Sequence, residues 1–253
     1  MTRRRSVLTS IGASLAVAAL LRRTQAQTSR ASEQKETIAM LGTGGLGSVL
    51  GKSWAAAGHT VIYGSRTPAD VRVTNLVRET GPRASAATSK DAVARAGMVM
   101  FALPWEPVKE LVPTLGDLDG KVVMDPMIHI PRTQQDVDAA LRAAGCNPLS
   151  LGEQLQSWLP GARVVKAFNT IAAKTIVDPA RTGRPISIAL AGDDAAAKAR
   201  VAKLVSALEG LEPLDFGPIR AARYIESLLL LGINYSVANK GNRIEFHFRS
   251  HPV

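Results

Sequence analysis

The feature that most constrains this chain is a glycine cluster placed between two hydrophobic patterns of different period. Thr37-Ile38-Ala39-Met40-Leu41 is a short apolar run suited to a buried strand. From Gly45 to Ala57 the apolar residues Leu46, Val49, Leu50 and Trp54 recur at helical spacing, and Gly58 ends the segment. Between them lies Gly42-Thr43-Gly44-Gly45-Leu46-Gly47, a G-x-G-x-x-G pattern. Alone the pattern says little. Closing a strand and opening a helix, it predicts a site for a dinucleotide pyrophosphate. Gly42 then permits the tight turn, Gly44 the approach of the backbone to the phosphates, and Gly47 the close packing of helix on strand. The helix N-terminus offers unpaired N–H groups and the positive end of its dipole.

A second strand is predicted over Thr60 to Tyr63, closed by Gly64-Ser65-Arg66. An NAD-binding chain places a carboxylate near this point, for the ribose 2′-hydroxyl. Here Ser65 and Arg66 stand there, with no acid beside them. A guanidinium grips a 2′-phosphate that a carboxylate would repel, so the expected cofactor is NADP.

Further along, helices are predicted over Ala69 to Glu79, Ser89 to Ala94, Leu151 to Leu159 and Asp194 to Leu208. Strands are predicted over Arg83 to Ala86, Met98 to Leu103, Lys121 to Met124, Arg163 to Ala167 and Ile186 to Leu190. A final apolar helical stretch runs from Ile219 to about Val237. Strands alternating with helices at this spacing predict an α/β fold: a Rossmann-type doubly wound parallel sheet with a small helical C-terminal unit. The expected domains are a cofactor-binding domain over 37–180 and a small C-terminal α/β unit over 181–253 that completes a second pocket.

The formal charge of +10 suggests nucleic acid at first sight. Five of the 31 basic residues (Arg3, Arg4, Arg5, Arg22 and Arg23) fall in the first 26 positions, which contain no acid. The remainder holds 26 basic residues against 21 acidic, a balance of +5, with no basic run interleaved with aromatics. No nucleic-acid partner is expected. Cys146 is the only cysteine, so no intramolecular disulfide can form.

The first 26 residues read as an address. Arg3-Arg4-Arg5 precede an apolar stretch from Val7 to Leu21 and small residues near Ala26. Fifteen helical residues span about 22 Å, short of the ~30 Å bilayer core, so no stable membrane span is expected after cleavage. The pattern resembles a twin-arginine signal peptide, the type that exports folded proteins. A folded enzyme would take its NADP along, so a periplasmic or other extracytoplasmic location is expected, or the cytoplasm if translation starts downstream. Residues 27–36 form a polar linker.

Leu-Gly-Thr-Gly-Gly-Leu-Gly, Tyr-Gly-Ser-Arg, Ala-Leu-Pro-Trp, Arg-Val-Val-Lys-Ala-Phe-Asn-Thr, Leu-Ala-Gly-Asp-Asp and Glu-Pro-Leu-Asp-Phe-Gly-Pro-Ile-Arg occur in this order from Thr37 onward. Together they resemble the NADPH-dependent reductases of the deazaflavin coenzyme F-420. The resemblance implies hydride exchange between NADPH and a second planar redox molecule or small substrate. Direct transfer between stacked rings needs positioning rather than an acid or base, so no catalytic side chain is nominated. His59, His129, His247 and His251 show no metal-ligand spacing, and no metal is expected.

Ligands of such sheets bind at C-terminal strand ends. The candidates for the second pocket are Met127, Phe168, Asn169, Thr170, Gly217 and Pro218, while Leu103, Pro104 and Trp105 lie where they could flank the cofactor. Bacterial members of the family often read D-x-x-N-P after the fifth strand, whereas this chain reads Asp125-Pro126-Met127-Ile128. The acceptor therefore stays open among a flavin, a deazaflavin and a small substrate. A pyrroline-5-carboxylate reductase relative and a non-catalytic NADP-binding module are the alternatives. The other partner considered is a second copy of the chain in a homodimer.

Overall fold

The computed structural model describes residues 35–128, 135, 149–178, 185–239, 241, 244, 246 and 248. The signal-like segment, Cys146, His129, His247, His251 and the expected 180/181 boundary lie outside these residues.

Six parallel strands form the main sheet: β1 (Thr37–Leu41), β2 (Thr60–Gly64), β3 (Ala84–Ala87), β4 (Met98–Phe101), β5 (Val122–Asp125) and β6 (Arg163–Lys166). Their spatial order is β3-β2-β1-β4-β5-β6. The two halves wind in opposite directions from β1 and β4, and that reversal opens a crevice at their C-terminal ends. β1 and β4 read as apolar runs because helices cover both faces of the sheet, and β5 does so up to its final Asp125. β3, at the edge, is only half-buried and correspondingly small in side chain.

Helix α1 (Gly45–Ala56) buries Gly47, Leu50, Gly51 and Trp54 along one face. Trp54 is fully buried, and its Nε1 donates to the Leu204 carbonyl at 3.1 Å. That bond ties α1 to α7 (Ala195–Ser206), 150 residues away in sequence. α2 (Val71–Thr80) is capped by the Asp70 side chain, α3 (Ser89–Arg95) by Thr88, and α7 by Asp194. α5 (Leu151–Trp158) opens on a reciprocal Ser150–Glu153 capping box. The predicted elements appear within about two residues of their expected bounds. Two short helices, α4 (Val108–Leu111) and α6 (Ala173–Val177), were not expected.

Neither was β8 (Leu211–Asp215), which pairs in parallel with β7 (Ile186–Leu190) as a separate two-stranded sheet. An antiparallel bridge between Lys166 and Ala191 joins this small sheet to β6. Pro213 and two acids hide the strand in sequence, and an edge position tolerates all three. The chain ends in α8 (Ala222–Ala238), preceded by a 3₁₀ turn over Ile219–Ala221. Among the described residues no helix is long and apolar enough to cross a membrane.

Candidate active site

The glycine cluster occupies the switch point between β1 and β4. Gly42 has φ +107°, and a Cβ there would lie 2.1 Å from the Ala102 carbonyl oxygen at the end of β4. A Cβ on Gly47 would lie 2.2 Å from the Gly42 carbonyl oxygen. These two glycines let helix, turn and strand close upon one another. Gly44 differs, because a Cβ there would meet nothing within 4 Å. Its backbone faces open space just ahead of the first turn of α1, which is the cradle a pyrophosphate requires.

That space belongs to a cleft of about 760 Å³ lined by Gly42, Thr43 and Gly44 and by Ser65 and Arg66 from the end of β2. Leu103 and Pro104 form its opposite wall. Gly45 and Gly47 are not in the lining; they shape the turn from behind. Two acids that sequence spacing did not reveal, Asp70 and Glu79, also line the cleft. Both are already engaged. Asp70 accepts from Arg72 Nε at 3.1 Å and Nη2 at 3.2 Å, and Glu79 accepts from Lys52 at 2.6 Å. Hydrogen bonding to Arg72 holds the Asp70 carboxyl below its ordinary value, and hydrogen bonding to Lys52 does the same for Glu79. Arg66 is exposed and pairs with no carboxylate among the described residues. Among the described residues lining the cleft it is the basic side chain without a carboxylate partner, since Lys52 and Arg72 are paired. The Ser65 hydroxyl accepts from the Thr67 backbone N–H at 3.1 Å, fixing the turn that carries Arg66.

A second cavity, about 400 Å³, shares Leu103 and Pro104 with the cleft and adds Leu46, Trp105 and Met127. Trp105 stacks on Trp158 with ring centroids 4.9 Å apart and planes 15° from parallel, so α5 braces this wall. A third cavity of about 390 Å³ shares Leu46, Pro126 and Ile128 with the second. Phe168, Asn169 and Thr170 line it on one side and Leu229, Ile233 and Ser236 of α8 on the other. The three spaces thus run end to end along the C-terminal edge of the sheet. Of the expected second-pocket residues, Phe168, Asn169 and Thr170 meet in the third cavity and Met127 in the second. Gly217 and Pro218 line none of the three. They form the turn after β8, where the Gly217 carbonyl accepts from Gly192 N and Lys198 Nζ.

The chain turns sharply as it leaves β6. Phe168 is buried with φ 64°, a conformation costly for a non-glycine residue and characteristic of functional turns. Its ring meets Trp54 edge to face at 5.7 Å, which holds the turn. The next residue, Asn169, is only 6% exposed. Its Nδ2 donates to the Ile225 carbonyl at 3.2 Å, while its Oδ1 is buried with no hydrogen-bond partner among the described residues. An unsatisfied buried acceptor is costly unless a ligand supplies a donor.

Beneath the site lies a charged cluster that the sequence analysis missed. Parallel register sets Asp125 of β5 opposite Lys166 of β6. Both side chains are fully buried, with Lys166 Nζ 3.1 Å from Asp125 and 2.7 Å from Glu226 of α8. Lys166 also donates to the Met127 carbonyl, and Asp125 accepts from the Met127 N–H at 2.7 Å. Glu226 in turn accepts from the Leu151 and Gly152 backbone N–H groups at the start of α5. Burial pushes the Asp125 carboxyl up; burial also opposes the Lys166 charge, but the two carboxylates outweigh it and hold the ammonium above its ordinary value. The signal was available: a lysine inside an apolar strand must find an acid. His59, by contrast, is structural, its Nδ1 accepting from the Glu36 N–H at 3.1 Å. No metal-binding cluster occurs among the described residues.

Comparison with known proteins fits this geometry. Residues 37–129 match the family described as NADP oxidoreductase, coenzyme F420-dependent. A solved candidate F420-dependent NADP-reductase from Arthrobacter sp. FB24 is 32% identical, with a TM-score of 0.71 over 85% of this chain and 100% of that one. The chain belongs to this family of F420-dependent NADP oxidoreductases. It is an oxidoreductase of the NADP-dependent, Rossmann type. The family includes the F420-dependent NADP reductase of Methanocaldococcus jannaschii, 29% identical over 161 residues, 62% of this chain and 70% of that protein. Metalloreductase STEAP3 of Rattus norvegicus is 28% identical over 193 residues, 76% of this chain; the match spans only 36% of that longer protein.

Proposed function

We propose that this oxidoreductase transfers hydride between NADPH lying along the cleft and second cavity and an organic acceptor in the third. The continuity of the three spaces carries the reading: Leu103 and Pro104 are common to the first two, and Leu46, Pro126 and Ile128 to the last two. Gly42, Thr43 and Gly44 would hold the pyrophosphate, Ser65 and Arg66 the adenosine ribose with its 2′-phosphate, and Trp105 and Met127 would flank the nicotinamide. When bound, NADPH supplies a hydride at its nicotinamide ring. The protein's contribution is to orient the two partners and exclude water, since the third cavity is walled chiefly by aliphatic and aromatic side chains. The names of its relatives support a deazaflavin acceptor, and a flavin or other small ring would be handled by the same geometry.

The test is NADPH oxidation by the purified chain with deazaflavin and flavin acceptors, in wild type and Asn169→Ala. We expect the substitution to lower turnover more than it weakens NADPH binding. Equal losses, or none, would remove Asn169 from the acceptor side.

Two further readings belong to this proposal. The paired arginines and apolar stretch in residues 1–26 support export in the folded state to an extracytoplasmic compartment. The exposed apolar side chains of Tyr224, Leu231, Tyr235 and Val237 on α8 support a homodimer, which light scattering would detect.

A further inference from the structure

We infer that Asp125 and Lys166 are positioning residues for the hydride transfer: they fix the Met127 peptide, and with it the wall between the nicotinamide and the acceptor. This rests on the reading that the nicotinamide lies in the second cavity against Met127.

Both polar groups of the Met127 backbone are held by buried charges. Its N–H donates to Asp125 Oδ1 at 2.7 Å, and its carbonyl accepts from Lys166 Nζ. An ammonium group has three N–H donors. Those of Lys166 are committed to the Met127 carbonyl, to Asp125 Oδ2 at 3.1 Å and to Glu226 Oε1 at 2.7 Å. Neither Asp125 nor Lys166 is exposed, and neither lines any of the three cavities. They therefore act on a bound ligand only through the residue they hold. Charge is a poor choice for stability alone, since a buried ion pair seldom outdoes well-packed apolar residues of similar volume. What these ions supply is strong, directional bonding to one peptide unit.

The segment so held has a particular place. Pro126 and Ile128 line both the second and the third cavity, with Met127 between them in the second. These three residues are the partition whose position sets how closely the donor and acceptor rings approach. The same cluster reaches Trp105, the other residue placed beside the nicotinamide. Glu226 accepts from the Leu151 and Gly152 N–H groups at the start of α5, and Trp158 at the end of that helix stacks on Trp105. A Cβ on Gly152 would lie 3.3 Å from Asp125 Oδ2, so α5 packs directly against the buried carboxylate. Transfer between two held rings depends steeply on their separation, and a displacement of about 1 Å can cost about a hundredfold in rate.

The experiment compares the full-length wild type with Lys166→Met, with the double variant Lys166→Met and Asp125→Asn, and with Leu204→Ala as a control. Leu204 is fully buried in α7 and lines none of the three cavities, so its truncation weakens the fold without touching Met127. At a temperature where all are folded, NADPH affinity is measured by calorimetry and mobility of the bound nicotinamide by time-resolved anisotropy of its fluorescence. The rate of hydride transfer to coenzyme F-420 is measured in a single turnover. We expect both Lys166 variants to bind NADPH within about threefold of wild type, to show a mobile ring, and to transfer hydride about tenfold to a hundredfold more slowly. The double variant should regain melting temperature but not rate. Leu204→Ala should melt lower yet keep the ring mobility and rate of wild type. Wild-type anisotropy in both Lys166 variants, a rate that recovers with melting temperature, or an equal loss in Leu204→Ala overturns the inference. The anisotropy needs no acceptor, so it decides whatever the acceptor is. Met127→Ala separates the inference from the underlying reading, because it alters the wall itself. If Met127→Ala leaves ring mobility and rate unchanged, the nicotinamide does not lie there and both fail. If Met127→Ala changes them and Lys166→Met does not, only the positioning inference fails.

Discussion

Replacing Lys166 with Met tests the buried cluster that links β5, β6 and α8. Methionine matches the lysine stem in volume but removes the ammonium that sits 3.1 Å from Asp125 and 2.7 Å from Glu226. The Asp125 side chain is fully buried and that of Glu226 only 14% exposed, so neither carboxylate can recover its full hydration. Breaking one side of a buried pair typically costs about 3–5 kcal/mol. For a chain of this size each kcal/mol lowers the melting temperature by about 2–4 °C, so a loss of roughly 6–20 °C is expected. The loss should depend on pH in a definite direction. In the variant Asp125 is buried without its cation, so its folded-state value rises further above the unfolded one. The folded variant therefore takes up a proton more readily than the unfolded chain, and its deficit relative to wild type shrinks as the pH falls from 8 towards about 5. Lys166→Met combined with Asp125→Asn should recover part of the stability, because it removes one of the stranded charges. Thermal unfolding of the three proteins across that pH range provides the assay. A loss below about 1 kcal/mol, or one that grows at lower pH, would refute the reasoning.

Three other outcomes are expected. Gly44→Val should leave the melting temperature nearly unchanged yet abolish NADPH binding by calorimetry, because Gly44 has an ordinary φ of −75° and its Cβ would project into open space. Gly47→Ala should do the reverse at first order, destabilising the fold by about 1–3 kcal/mol through its 2.2 Å clash with the Gly42 carbonyl. Replacing Arg3, Arg4 and Arg5 with Lys should retain the protein in the cytoplasm; fractionation showing unchanged export would contradict the address read in residues 1–26.

The elements that declare themselves in sequence are those whose local pattern and tertiary role agree. β1, the glycine turn and α1 do so because Gly42 supplies the positive φ of the turn and Gly47 its close approach to Gly42, needs created within a few residues, while Gly44 leaves the space ahead of α1 open. β8 fails this test. Its strand character comes from pairing with β7, while Glu212, Pro213 and Asp215 argue locally for a loop. The site divides in the same way. Arg66 and Asn169 sit at strand ends, where function can be anticipated from position. Asp70 and Glu79 reach the cofactor cleft from neighbouring positions in space, and only the structure shows that Arg72 and Lys52 already neutralise them. Lys166 was visible as an anomaly within an apolar strand. Its partners, 41 residues before it and 60 after, become apparent only once the register and the path of α8 are known. Gly217 and Pro218, a glycine–proline turn at a strand end that resembles a binding loop in sequence, line none of the three cavities and form the turn after β8.

The central claim is that the cleft selects NADP through Arg66, and dissociation constants for NADPH and NADH in wild type and Arg66→Ala test it most directly. A charge-assisted hydrogen bond contributes roughly 1.5–3 kcal/mol, so losing Arg66 should weaken NADPH by roughly ten- to a hundredfold or more. NADH, lacking the 2′-phosphate, should bind the variant almost as it binds wild type. A wild-type preference for NADH, or an equal loss of affinity for both nucleotides in Arg66→Ala, would contradict the account.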